Sequence, residues 1–373
     1  MLLINQASRA ASILSRALIG LAIMAMATAG PSRTSSADPA LGAGSVFTAN
    51  EGDGSISRID LRSGEARSID LPIMAHNVDL SADAGLVFVV GEAGTGTEMP
   101  AEDHGSMMMP AKADPHGLGE EPAGRLSILR LDAIEDGPVA MIDVGHHPAH
   151  VVPDRDGKRV FVTDSEADTV FVVDVRANTI VGAIPTGRYP HGLRLSPDGQ
   201  ELYVANVEDG TVSVIDVGRL EESGRVAVGK APVQVAFTPD GTRVYVSLRD
   251  EDKVAVVDRA TRHVSATIAV GRKPIQLFAT PDGRFVYVAN QGSDANPDNR
   301  VSIIDTARNA VVKTLTVGAG AHGVAISPDG LFAYVTNIKD DSVSVIDTKV
   351  QSVVRTIPVG DGPNGIAVFS GET

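Results

Sequence analysis

From residue 43 to residue 369, apolar and polar residues alternate in short runs separated by turn residues. In the stretch after Arg188 the runs are GLRLS, ELYVANV, TVSVIDV and RVAVG. Alternation at a period of two marks a strand with one face in a core, and Pro197-Asp198-Gly199 and Glu208-Asp209-Gly210 supply the turns between successive runs. The whole pattern returns along the chain: HGLRLSPDGQELYVANVEDGTVSVIDV starts at His191, and HGVAISPDGLFAYVTNIKDDSVSVIDT starts at His322. The glycine closing each unit recurs at Gly145, Gly187, Gly229, Gly271, Gly318 and Gly360, at spacings of 42, 42, 42, 47 and 42 residues. Self-similarity at such a period signals a repeat architecture, and four antiparallel strands per unit of this length make one blade of a β-propeller.

Six units run from Ile73 to Gly360. Residues 43–72 add three strands, SVFTANEG, SISRIDL and ARSIDL, with no first strand, and the run from Asn364 to Phe369 adds a first strand with no blade. Joining the two ends leaves no sheet edge exposed and completes a seventh blade. The expected fold is therefore all-β, a seven-bladed propeller of four-stranded antiparallel blades, with the ring closed by N- and C-terminal strands in one shared blade. No segment sustains a 3.6-residue apolar period, which argues against an α/β fold.

The strings YVANVEDGTVSVID, YVANQ and YVTNIKDDSVSVID resemble the YVTN-repeat (YncE-like) propeller family of bacterial exported proteins and archaeal surface-layer proteins. The resemblance spans essentially residues 43–373 and implies the propeller fold. It does not imply one function, because relatives include surface proteins, cofactor-binding propellers such as that of haem-containing nitrite reductase, and lactonase-like enzymes. The recurring Pro-Asp-Gly and Ile-Asp positions read as turn and strand-end chemistry with no functional role.

Residues 1–37 read as a secretory signal: Arg9 and Arg16 precede an apolar run from Ala17 to Ala29 that is too short to span a membrane. Small-residue cleavage sites follow Ala29 and Ala37, and the second is preferred, leaving residues 38–373 as the propeller domain. The expected location is the periplasm or the exterior, with no membrane span after the signal is removed. The sequence has no cysteine, which excludes disulfides, thiolate metal sites, a cysteine nucleophile, a lipoprotein anchor and a covalently attached c-type haem. Of the whole chain's net charge of −15, the signal carries Arg9, Arg16 and Arg33 and no acid, so the remainder stands near −18. That sign disfavours nucleic acid and favours a metal ion or another exported protein as partner of a monomer.

Two groups of residues could carry chemistry. At the start of each first strand stand His76, His150, His191, Gln234, Gln276, His322 and Asn364, each within one residue of the same repeat position. First strands are innermost in a propeller, so these side chains are expected to approach the central funnel, where they could hold a metal, an anion or ordered water, with His191, Gln234, Gln276, His322 and Asn364 as the expected cofactor contacts. The bland alternative is a polar lining for a wet channel. The second group is an insertion in blade two, residues 95–123, which holds Met99, His104, Met107, Met108, Met109 and His116. Strand parity puts it on the same face as the inter-blade loop with His146, His147 and His150. Thioethers select Cu(I) and imidazole suits copper or zinc, so a copper site built from His76, His146, His147, His150 and the insertion is expected. A mobile loop whose methionines pack on the surface is the plainer reading. In blade six, Asp294, Asn296, Asp298 and Asn299 read as a solvated acidic loop rather than a calcium loop.

Three function classes follow: an exported propeller binding copper or a related metal, an interaction or surface scaffold without ligand chemistry, and a metal-dependent lactonase- or lyase-like enzyme. A methionine-rich loop argues for the first, since catalysis with a hard metal has no use for thioethers. No G-x-S-x-G and no H-E-x-x-H occurs, so no catalytic residue is assigned.

Overall fold

The alternating runs become strands in seven four-stranded antiparallel sheets among the described residues, 41–94 and 124–371 of a computed structural model. The blades are numbered from the N-terminus, so that the blade holding Ser45–Asn50, Ser55–Asp60 and Ala66–Asp70 is blade one. Its fourth strand is Pro363–Phe369, which pairs antiparallel with Ser45–Asn50 through Val46↔Val368 and Thr48↔Ile366. The ring is thus closed by both ends of the chain in one blade, as the two orphan segments required.

Burial explains the sequence pattern within a blade. In blade four the first three strands, Pro190–Leu195, Glu201–Asn206 and Thr211–Asp216, are buried almost throughout, because neighbouring blades cover both faces. The outer strand, Glu221–Ala227, alternates between exposed and covered positions. The core is accordingly a set of layers between blades, in which Tyr203, Tyr245, Tyr287 and Tyr334 are fully buried. Burial of an aromatic side chain contributes about 1.5–3 kcal/mol, so each interface depends heavily on its tyrosine.

The recurring acids are turn chemistry. Asp198 accepts from the Ser196 hydroxyl at 2.5 Å and the Gln200 N–H at 3.1 Å, and Gly199 takes a φ of 70°. The Ser196 hydrogen bond is the chief reason its carboxyl is lowered to about 2. A second recurring carboxylate clasps the loop by which the chain enters its blade. Asp209 accepts from the Arg188 N–H at 2.7 Å, Glu251 from Lys230 at 2.7 Å, Asp340 from Ala319 at 2.7 Å and Asp53 from Asp361 at 2.9 Å. The last clasp shows the C-terminal strand joining blade one by the same device that the other blades use.

Blade six corrects one expectation. Residues 285–305 form a long hairpin, Phe285–Ser293 and Asn296–Asp305, in place of a solvated acidic loop. Asp298 is buried there, holding Arg300 by its side chain and the Arg272 N–H at 3.2 Å. Asp294 is paired with Lys339. The extra residues lengthen the strands, and their charges are consumed within the protein.

Candidate metal centre

The first strands bring the predicted polar residues to the ring axis and bury them. His150, His191, Gln234, Gln276, His322 and Asn364 are all less than a tenth exposed. Their placement follows a local rule. Where the polar residue comes first, glycine follows, as in His191-Gly192, His322-Gly323 and Asn364-Gly365. Where it comes second, an apolar residue precedes it, as in Ala149-His150, Val233-Gln234 and Ile275-Gln276. The missing side chain makes room for the next blade: a Cβ on Gly192 would stand 2.4 Å from Gln234 Oε1 and 2.5 Å from the Val233 carbonyl oxygen. Gly192→Ala is therefore expected to destabilise the protein by about 1–3 kcal/mol, read as a lowered urea midpoint, whereas Gly199→Ala at an open turn meets no atom and should lose only its backbone preference.

Three of these side chains converge. His76, His150 and His191 each present a ring nitrogen, and the three atoms lie within 4.8 Å of one another. The ring centroids are 4.7 Å apart for His150 and His191, 5.7 Å for His76 and His191, and 6.0 Å for His76 and His150. Each ring is held from behind. His76 Nδ1 donates to Glu51 Oε1 at 2.8 Å, and Asn364 Nδ2 donates to the other Glu51 oxygen at 2.8 Å. His191 Nδ1 donates to the Val233 carbonyl at 3.3 Å, while the Gln234 carboxamide lies 3.4 Å from His150 Nδ1. His76 Nε2 and His150 Nε2 are buried with no protein partner. Gln234 Oε1 accepts from the Val235 N–H at 2.9 Å, so ligation through His150 Nε2, which needs the proton on Nδ1, requires the long Gln234–His150 contact to break.

Electrostatics favour the neutral form of two of the three rings. Burial pushes His150 and His191 well below the ordinary histidine value, and neighbouring imidazoles add to the effect, His191 on His150 and His76 on His191. Three residues further along the same strands, Asp79 and Arg194 form a pair at 3.4 Å. Burial raises the Asp79 carboxyl, against the pull of Arg194. Below the unfolded value of about 6.5, the unfolded chain binds protons at His150 and His191 that the native state refuses. Their contribution to stability is thus fully present above that pH and falls as pH drops toward the folded values. Urea titrations at pH 7 and pH 5 should show a steeper acid loss for the metal-free wild type than for His150→Leu/His191→Leu. Equal losses would mean that the two rings titrate normally.

The remaining predicted ligands separate into three cases. His146 is exposed, and its backbone N–H is held by Asp164 at 2.9 Å. His147 pairs with Glu92 at 2.5 Å; burial opposes its charged form, but the Glu92 hydrogen bond and charge prevail and raise its pKa. It stands apart from the three-histidine group, with its ring 6.3 Å from that of Tyr189. Met99, His104, Met107, Met108, Met109 and His116 lie outside the described residues. The flanks of their segment reach the expected face: Gly124 donates to the Gly145 carbonyl at 2.8 Å, in the loop that leads to His147. His191, expected with Gln234, Gln276, His322 and Asn364 as a cofactor contact, lies in the three-histidine group. Sequence reading missed Glu51, Asp79 and Arg194. Asp79 and Arg194 were visible as charges on first strands, where other blades carry Ala236, Phe278 and Ala325.

This fold and this cluster define a propeller with a histidine-lined axis, and the comparisons agree on the class. Residues 218–372 match the family model of the YNCE-like beta-propeller, and residues 124–278 match that of the cytochrome D1 heme domain. The chain is a seven-bladed β-propeller, and its C-terminal part is similar to the YNCE-like family. It resembles the solved structure of Kuenenia stuttgartiensis hydrazine synthase at 21% identity and a TM-score of 0.65, over 81% of this chain and 90% of that one. It also resembles a functionally unknown protein from Desulfotomaculum acetoxidans at 15% identity and a TM-score of 0.69, over 88% of this chain and 100% of that one. Identities this low establish a shared fold only. No curated protein matches the chain.

The triad and the match to the cytochrome D1 heme domain are compatible with a bound cofactor.

Proposed function

We propose that this chain acts outside the cytoplasm as a metal-binding propeller, with copper or a related late first-row ion held by His76, His150 and His191. The observation that carries the reading is the triad itself: three imidazoles with donor atoms within 4.8 Å, two of them with a buried nitrogen that no protein group satisfies. An ion with nitrogens at about 2.0–2.1 Å needs a smaller triangle, reached by modest rotation of the three rings. Neutral imidazole is the form that ligates, and burial maintains it at His150 and His191. Glu51 behind His76 orients the ring, as carboxylates behind metal-bound histidines do. Affinity among divalent ions peaks at copper, and the thioethers of Met99, Met107, Met108 and Met109 add a preference for Cu(I) during capture.

Export rests on the Arg-flanked apolar leader. Among the described residues no helix is long and apolar enough to cross a membrane. The test has two parts on one preparation. N-terminal sequencing of protein from the exported fraction should begin near Gly30 or Asp38, and competition with a chromophoric chelator should show Cu(I) bound more tightly than Zn(II). Retained Met1 in cytosolic material would remove the first part, and an absence of metal competition would remove the second.

A further inference from the structure

A second site lies on the same face, between blades four and five. A cavity of about 640 Å³ opens there, walled by Tyr189, Asp209, Lys230, Ala231, Arg249 and Asp250 among others. Its size is that of a site for a small metabolite, not a bare ion. Arg249 is the unusual member. It is only 9% exposed, and its Nε and Nη2 reach Asp250 at 2.9 and 3.3 Å. Its Nη1 is buried and has no protein partner. A buried guanidinium N–H without an acceptor is costly, and an anion supplied from outside removes that cost.

The repeat marks the same place. Strand two carries asparagine at one repeat position in four blades, Asn50, Asn206, Asn290 and Asn337. That asparagine binds hydroxyls of its own blade: Asn206 donates to Thr211 at 3.0 Å and to Ser213 at 2.9 Å, and Asn337 donates to Ser342 at 3.1 Å and to Ser344 at 3.0 Å. Blade five replaces it with Leu248 and follows with Arg249. In blade one the corresponding next residue is Glu51, which braces His76. The position therefore points toward the functional face, and blade five puts a cation there.

The other charges of the cavity leave only the Nη1 end of that cation without an acceptor. Glu208 and Asp209 on the opposite wall are engaged by Arg188, at 3.6 and 2.7 Å. Asp250 is shared between Arg249 and Lys273, the latter at 3.8 Å. Lys230 stands exposed on the same wall, and Tyr189, Val207 and Ala231 provide apolar surface. We propose that this cavity binds a small organic anion, a carboxylate or phosphate ester on a compact ring or apolar body, with its charge on Arg249 and Lys230. This site does not depend on the metal reading.

Isothermal titration of the full mature chain with benzoate and with phenyl phosphate, at low ionic strength, tests it. The wild type should bind at least one of them. Arg249→Gln should weaken that binding about tenfold or more, and Lys230→Ala, on the surface, about threefold. Arg155→Gln, an exposed charge on a turn between strands one and two, and His150→Leu/His191→Leu should both bind as the wild type does. Binding of benzoate alone assigns a carboxylate, and binding of phenyl phosphate alone assigns a phosphate ester. The proposal is overturned if neither compound binds, or if Arg249→Gln and Lys230→Ala bind as well as the wild type.

Discussion

His150→Leu/His191→Leu should bind copper and zinc roughly 100-fold or more weakly than the wild type, since even the outer partners of metal-bound histidines are worth about 10–100-fold. The variant should remain folded. Both rings are buried and neutral, and leucine fills most of their volume without stranding a charge. Glu51→Gln gives the graded control. It keeps a hydrogen-bond acceptor near His76 Nδ1 and removes the charge, so its affinity should fall by about tenfold, between the wild type and the double variant. Chelator competition at fixed pH reads all three. If the double variant binds as the wild type does, the three imidazoles are packing and not ligands.

Deleting residues 363–373 should lower the melting temperature by roughly 5–15 °C, because the strand from Pro363 to Phe369 is the fourth strand of blade one. Ile366 is 4% exposed and Ala367 6% exposed, and Ile366 alone contributes about 1.5–3 kcal/mol. The deletion also exposes the edge of Ser45–Asn50 for pairing with other chains. Its second effect falls on the metal centre. Asn364 holds Glu51 at 2.8 Å and receives His322 on its carbonyl at 3.2 Å, so the truncated chain should lose metal affinity together with stability. An unchanged melting temperature, followed by differential scanning calorimetry, would mean that the ring closes without this strand.

The ring was legible in the sequence because each blade repeats the same solution to the same packing problem. Alternation set the strands, Pro-Asp-Gly set the turns, and two incomplete ends could be satisfied only by each other. The polar ring was legible for the same reason, as a position where histidine, glutamine or asparagine replaced an apolar residue. What could not be read was which of those seven residues meet. His76, His150 and His191 come from blades two, three and four, and their convergence depends on side-chain length and on the one-residue stagger that Gly192 permits. His146 and His147 share a loop with His150, yet the chain turns between them. His147 is left on the rim with Glu92, while His150 goes to the axis. Spacing along the chain placed all three together, and strand geometry separated them. Glu51 was hidden because it stands in a loop rich in Gly and Asp, where acids ordinarily cap turns.

The central claim is that three histidines of three successive blades hold one ion. X-ray absorption of protein purified from the exported fraction tests it most directly. The account predicts a single copper or related ion with three imidazole nitrogens at about 2.0–2.1 Å, lost in His150→Leu/His191→Leu. A metal shell without imidazole scattering, or an ion retained by that variant, would contradict it.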